Sequence, residues 1–224
     1  MHKLVALLPM KAHSERVKNK NFRNFAGKPL YRWMLDKLVE MPEIDIVIIN
    51  TDSEELMDNY ELNSIGKVKI RERRLDIRGD LVSMNKIIED DIMSIESKLF
   101  LMTHTTNPLL SIETLRSAIQ RFAQQTGFDS LFSVTKHQTR FYKSNGEPLN
   151  HDPNNLVRTQ DLEPWYEENS NFYIFSKESF FHRSARIGKK PMMYETGKIE
   201  SVDIDTPDDW FIAESIANFQ GISE

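Results

Sequence analysis

Cysteine is absent from the 224 residues, which excludes disulfides, thiolate metal sites and thiol nucleophiles. Glycine is sparse, with eight in all, and no G-x-G-x-x-G occurs, so the glycine fingerprint of dinucleotide-binding folds is missing. No apolar run reaches the length that spans a bilayer, and the short N-terminal one lacks the flanks of a secretory leader. The expectation is therefore a cytoplasmic protein without a membrane partner. Excess positive charge is lacking too: 29 Lys and Arg face 34 Asp and Glu, for a net charge of −5, which argues against a nucleic-acid partner read over a broad face. With 39% hydrophobic residues the chain can bury one good core, so 1–224 is read as a single domain with an appendage.

What is present begins with an apolar run, Leu4 to Leu8, ending at Pro9, of the length of a buried strand. Helical spacing resumes only after Pro29, with Leu30, Trp33, Met34, Leu35, Leu38 and Val39. The connection between them is far longer than an ordinary strand-to-helix loop, and such loops are usually functional or disordered. It carries Lys11, Arg16, Lys18, Lys20, Arg23 and Lys28 against one acid, Glu15. A basic loop at the carboxyl end of a first strand sits where open α/β sheets place their ligands. A polyphosphate suits it, and a solvated charged loop is the alternative.

Further strands are expected at Ile44 to Asn50, Lys67 to Ile70, Lys98 to Met102 and Ser130 to Thr135, with helices between. Asp52, with Glu55 three residues on, reads first as a helix cap and second as a ligand contact. His104 ends the fourth strand in a Thr103-to-Pro108 turn, where a satisfied structural histidine competes with a substrate contact. Strand-helix alternation of this kind predicts a doubly wound, mostly parallel sheet. The alternation stops over 136–168, where an Asn145-Gly146 turn, short β-prone runs and the aromatics Phe141, Tyr142, Trp165 and Tyr166 predict a small β-rich arm with too little core to stand alone. Asn171 to Phe175 returns to the sheet, and Ile199 to Ile204 is expected as the last strand. Its Asp203 and Asp205, two apart, would then share a face near the strand end, as hard oxygen ligands of the kind Mg²⁺ takes beside a polyphosphate. An exposed acidic strand end is the alternative. Asp208 and Asp209, behind Thr206 and Pro207, already have work as caps of the closing helix.

Taken together these stretches resemble the acylneuraminate and Kdo cytidylyltransferase family. Ser14 between basic residues, Lys20-Asn21 and Gly27-Lys28-Pro29-Leu30 resemble its nucleotide loop. Asn50 to Glu55 (NTDSEE), Thr106 to Leu109 (TNPL), Asn169 to Phe175 (NSNFYIF) and Ser201 to Asp208 (SVDIDTPD) follow in the family's order. The resemblance implies a nucleotidyltransferase fold of the glycosyltransferase-A-like type and a CMP-sugar synthetase that couples CTP to an acidic sugar, sialic-acid-like or Kdo-like. It implies catalytic Lys11, Arg16, Lys20 and Asp205; nucleotide contacts from Lys11, Ser14, Arg16, Lys20, Asn21, Arg71 and Asp80; sugar contacts from His104, Thr106, Arg158, Gln160 and Asn169; and Mg²⁺ on Asp203 and Asp205. It further implies a homodimer that exchanges the 136–168 arm. Where the sialic-acid branch reads ARGGSKG this chain reads Met10 to Arg16, MKAHSER, and a lysine cannot reproduce an arginine's two-pronged grip. A sugar-nucleotide-dependent glycosyltransferase on the same sheet, or a binding protein that has lost turnover, are the competing readings.

Overall fold

A computed structural model describes residues 2–221. In chain order its elements are β1 (His2–Leu7), β2 (Asn24–Phe25), β3 (Lys28–Pro29), α1 (Leu30–Glu40), β4 (Ile46–Thr51), α2 (Glu54–Met57), α3 (Tyr60–Ser64), β5 (Val68–Glu72), α4 (Met84–Ser94), β6 (Ser97–Thr103), α5 (Ile112–Gln124), β7 (Ser130–His137), β8 (Trp165–Phe175), α6 (Lys177–Arg183), β9 (Pro191–Glu195) and α7 (Pro207–Phe219). Seven strands form one sheet in the order β5-β4-β1-β6-β8-β7-β9. β1, β4, β5 and β6 run parallel, β9 runs parallel to β7, and β8 alone is antiparallel to its neighbours. From β1 the chain winds outward to β4 and β5, then crosses to β6 on β1's other side. The strand order therefore reverses at β1 and β6, and open α/β sheets bind ligands outside the carboxyl ends of the strands that flank such a reversal.

The sheet is covered on both faces, as the apolar runs require. Leu4, Ala6 and Leu8 pack with Met34, Leu35 and Leu38 of α1 and Leu115 and Ala118 of α5. Val5 and Leu7, alternating with them, pack with Ile88 and Ile92 of α4 and Phe180 of α6. A third cluster joins Val17 and Phe25 of the long basic loop to Leu30, Trp33, Ile204 and Trp210. Phe25 is edge-on to both Trp33 and Trp210, with centroids 6.0 and 5.5 Å away. Burying a side chain of this size stabilises by about 1.5–3 kcal/mol, so the basic loop is tied down by its own apolar residues.

Two sequence expectations are corrected. Ile199 to Ile204 is not a strand: residues 198–201 form a turn and 202–205 are extended coil, held by the Ile204 amide donating to the Thr106 carbonyl at 2.9 Å. The strand is β9, which precedes it and starts at a proline, tolerated at an edge and at a first position. Asp52 does not cap the following helix. Ser53 does, its hydroxyl accepting from the Leu56 amide, while the Asp52 carboxylate accepts from the Ala12 amide at 2.7 Å. The inserted arm is β-rich mainly at its base, where Val134 to His137 pair with Glu168 to Trp165. Beyond it lie a small turn at Asn145-Gly146, with Gly146 at φ +82°, one bridge between Tyr142 and Pro148, and a short 3-10 turn at Thr159–Asp161. Phe141 stacks on Trp165 with centroids 5.5 Å apart, which fastens the arm to its base. Among the described residues no helix is long and apolar enough to cross a membrane.

Candidate nucleotide site

A cleft of about 320 Å³ opens outside the carboxyl ends of β1 and β6, at the strand-order reversal. Lys11, Ser14, Arg16, Lys20, Asn21, Asp80, His104, Thr106 and Asp205, all expected from the sequence, line it. The loop's cations rest on carboxylates. Lys11 Nζ lies 2.6 Å from Asp80, and Arg16 Nη2 and Lys20 Nζ lie 3.0 and 3.2 Å from the two oxygens of Asp205. Lys20 also donates to the Ile204 carbonyl at 2.7 Å. Its bonds hold one partly buried cation against the loop that carries Asp205, across 185 residues of sequence. The Lys11 hydrogen bond keeps the Asp80 carboxyl below its usual range.

Asn21 acts from behind. Its amide donates to the Lys11 carbonyl at 2.9 Å and its oxygen accepts from the Thr105 hydroxyl at 2.7 Å, so it bridges the basic loop to the turn after β6. His104 is desolvated by its surroundings and lies near Arg186 and Lys20. Burial first, then those two cations, push its pKa down to about 3, and the ring is neutral at physiological pH.

Asp203 is not among the residues that line the cleft. It is half-buried, with the Thr106 side chain beside it. Burial, with the nearby Asp205 charge adding, raises its carboxyl above the usual range against the pull of Thr106. One of its oxygens, Oδ1, is buried with no partner. The half-exposed Asp205 and the half-buried Asp203 are thus close enough to sense each other, although they do not sit on a strand.

Arg71 is not among the residues that line the cleft. Its guanidinium binds Asp91 at 2.6 Å and Asp90 at 3.1 Å on α4. Burial and Asp90 raise Asp91 to about 7 even against the pull of Asn50 and Arg71. The arginine that reaches the cleft is Arg73, 1% exposed. It donates from Nε to Asn50 Oδ1 at 2.9 Å and from Nη2 to the carbonyls of Met10 and Asn50 at 3.0 and 2.8 Å. β5 ends at Glu72, and the chain then bends so that Arg73 turns inward. Three arginines in four residues hid that choice.

Asn169 does not line the cleft either. It is buried, and its amide donates to Thr135 Oγ1, Thr196 Oγ1 and Ser201 Oγ at 2.9, 2.7 and 3.2 Å. Those bonds join β8, β7 and the segment after β9, so the side chain is committed to the scaffold. Arg158 and Gln160 stand in the arm, outside this chain's cleft. Arg158 is exposed and paired with Asp161 at 2.7 Å, and the Gln160 carbonyl accepts from Gln138 at 2.9 Å.

Comparison with known proteins bears on this geometry. A family model described as cytidylyltransferase matches residues 5–220. An N-acylneuraminate cytidylyltransferase of Oncorhynchus mykiss is 30% identical over 94% of this chain and 49% of its own length, so the chain spans about half the length of such relatives. A CMP-N,N'-diacetyllegionaminic acid synthase of Legionella pneumophila is 26% identical, with 96% of each chain covered. Among solved structures, a CMP:2-keto-3-deoxy-manno-octonic acid synthetase complexed with CTP superposes with a TM-score of 0.69 at 11% identity, covering 97% of this chain and 99% of that one. That likeness confirms the doubly wound nucleotidyltransferase fold. On the match across 5–220, the chain belongs to the cytidylyltransferase family.

Proposed function

We propose that the protein transfers the cytidylyl group of CTP to a hydroxyl of an acidic keto sugar, releasing pyrophosphate and a CMP-sugar. The observation that carries this reading is the convergence of Lys11, Arg16 and Lys20 on the strand-order reversal, opposite Asp205. The relatives' names, all built on cytidylyl transfer to sugar acids, point to the substrate class.

The chemistry follows from the residues. Displacement at a phosphorus needs alignment and charge neutralisation more than covalent help. Lys11 and Arg16 exchange their carboxylate partners for the triphosphate, and the cations draw charge towards the departing pyrophosphate. Lys20, the least exposed of the three, keeps its carbonyl anchor and presents its remaining N–H groups to the phosphates. Arg73 fixes the Met10 carbonyl, and so the start of the loop. Neutral His104 faces the sugar side as a hydrogen-bonding group without charge.

The donor set fits Mg²⁺: the orphaned Asp203 Oδ1 and the half-exposed Asp205 are two carboxylates, and Mg²⁺ binds through one or two of these plus phosphates. Bound there, it would polarise the α-phosphate and lower the pKa of the attacking hydroxyl. The remaining reading concerns assembly. The arm's exposed Tyr142, Leu156, Val157 and Tyr166 suit a homodimer contact that brings Arg158 and Gln160 to the partner's sugar. In a thermal-shift test, CTP with Mg²⁺ should stabilise the fold more than ATP, GTP or UTP does, because a ligand that binds only the native state stabilises by mass action. Equal shifts for all four nucleotides would sink the base assignment.

A further inference from the structure

Arg73 lines the cleft while almost wholly buried, and no carboxylate holds it there. Its Nε and Nη2 are spent on Asn50 Oδ1 and on the carbonyls of Met10 and Asn50. Its Nη1 has no protein partner among the described residues, yet it is not sealed in the interior. Nη1 is therefore the nitrogen left for a ligand in the cleft. The acids whose charges reach Arg73 are Asp52 and Asp91, and neither is bonded to it: Asp52 accepts from the Ala12 amide and Asp91 from Arg71. A buried charge needs a partner or a hydrogen-bonded substitute for one, so a neutral group must join this cation to its countercharge.

Asn50, fully buried near the end of β4, is that group. Its Nδ2 donates to Asp91 Oδ1 at 2.8 Å and to Asp90 Oδ2 at 3.3 Å, both on α4. An amide whose nitrogen faces two carboxylates turns its oxygen the other way, and that oxygen meets Arg73 Nε at 2.9 Å. The Asn50 backbone carbonyl accepts from Arg73 Nη2 at 2.8 Å and from the Met10 amide at 3.0 Å. The two acids are held in turn by Arg71, at 2.6 and 3.1 Å. One residue thus fixes both the plane of the Arg73 guanidinium and the entry of the basic loop, with α4 as its backing.

We propose that Asn50, held by the acids of α4, is a positioning residue for nucleotide binding that acts through Arg73 by keeping Nη1 turned to the cleft. This rests on the cytidylyl-transfer reading above and adds to it a residue that does not itself touch the nucleotide. An apolar side chain of the same size leaves Nε without an acceptor, and the guanidinium can then turn about its stem. An aspartate gives Nε its acceptor back but sets a third carboxylate against Asp90 and Asp91, which costs stability while the direction of Nη1 is kept. Binding and stability therefore respond differently to the two substitutions.

The test measures kcat and KM for CTP at saturating Mg²⁺ and sugar acid, with the melting temperature of each variant taken without ligand. Asn50→Leu should raise the KM for CTP about tenfold or more, the scale of one hydrogen bond to a charged group, and leave kcat within about threefold, the pattern of binding lost equally from ground and transition states. Asn50→Asp should melt lower than the wild type and still return the KM to within about threefold of it. A purely structural role predicts otherwise, because a smaller folded fraction lowers the apparent kcat and leaves the KM alone. If Asn50→Leu does not fold, Asn50→Ser, too short to reach Arg73 Nε, takes its place. Combining the substitution with Arg73→Met should add nothing to the KM of Arg73→Met, since a residue that acts through Arg73 has no effect once Arg73 is gone. An unchanged KM in Asn50→Leu, equal rises in Asn50→Leu and Asn50→Asp, or additive losses in the double variant would each overturn the proposal and leave the cytidylyl-transfer reading standing. A wild type that turns over CTP with no sugar acid would overturn that reading, and the proposal with it.

Discussion

Asp205 and Asp209, four residues apart, should separate activity from stability. In the absence of ligand Asp205 holds Arg16 and Lys20 at 3.0 and 3.2 Å, with its side chain 42% exposed. Exposed pairs of this kind contribute about 0–1 kcal/mol, and Lys20 keeps its bond to the Ile204 carbonyl. Asp205→Asn should therefore lower the melting temperature by no more than about 2–4 °C. Asp209 does different work. One of its oxygens accepts from the Asp205 amide at 3.2 Å, and from the Thr206 amide and hydroxyl at 2.7 Å each, closing a capping box at the start of α7. Burial pushes its carboxyl up, but those bonds outweigh it and hold the group below its usual range. Losing such a cap costs about 1–2 kcal/mol, or about 2–8 °C in a chain of this size. Asp205→Asn should lose on the order of 10²–10³ in turnover, the scale of removing one preorganised electrostatic group, while Asp209→Asn keeps most of it. Scanning fluorimetry without ligand and pyrophosphate release with CTP and sugar acid read the two effects. The reverse pattern, with a destabilised but active Asp205→Asn and a stable but inactive Asp209→Asn, would show that the two acids are assigned to the wrong tasks.

Other perturbations follow from the same geometry. Arg73→Met strands the Met10 carbonyl and the Asn50 amide oxygen in the interior and leaves the Asn50 carbonyl only the Met10 amide; stability should fall by about 2–6 kcal/mol, at about 1–3 for each stranded acceptor, read from the urea midpoint at unchanged m. His104→Gln should alter the pH dependence of stability. The folded histidine titrates near 3 and the unfolded one near 6.5, so its contribution is complete above about pH 6.5 and is lost as pH falls towards 3, with a slope of up to about 1.4 kcal/mol per pH unit. The glutamine variant should resist acid better through that window, and identical acid curves would mean that the ring is solvated. Arg158→Ala and Asp205→Ala homodimers should each be nearly inactive, and co-refolding the two should restore activity if the arm acts in trans. No recovery from proven heterodimers, or a fully active monomer in sedimentation, would remove the dimer from the account.

The sheet was legible in the sequence wherever the apolar period was unbroken. The runs in β1, β4 and β6 and the helical spacing of α1 and α5 could belong to little else, and the length and charge of the loop after β1 placed the cleft. Errors came where two structures share one pattern. Val202-Asp203-Ile204-Asp205 alternates like a strand, but its backbone bonds, such as that from Ile204 to Thr106, form no ladder with a neighbouring strand and leave it as coil, while the true strand hid behind Pro191. Asp52 and Ser53 are both good caps, and a long-range bond to Ala12 decided which was free for the helix. Arg71 and Arg73 differ only by where β5 ends, and the acids that capture Arg71 lie about twenty residues on, in α4.

The central claim meets its most direct test in turnover. Protein, Mg²⁺ and each of the four nucleoside triphosphates in turn are incubated with nine-carbon and eight-carbon keto-sugar acids, and the products are followed by phosphorus NMR. The account predicts pyrophosphate and a new sugar phosphodiester in equal amounts, with CTP and only when a sugar acid is present. Pyrophosphate release without sugar, equal use of all four nucleotides, or consumption of a preformed CMP-sugar with transfer of its sugar to another acceptor would contradict it.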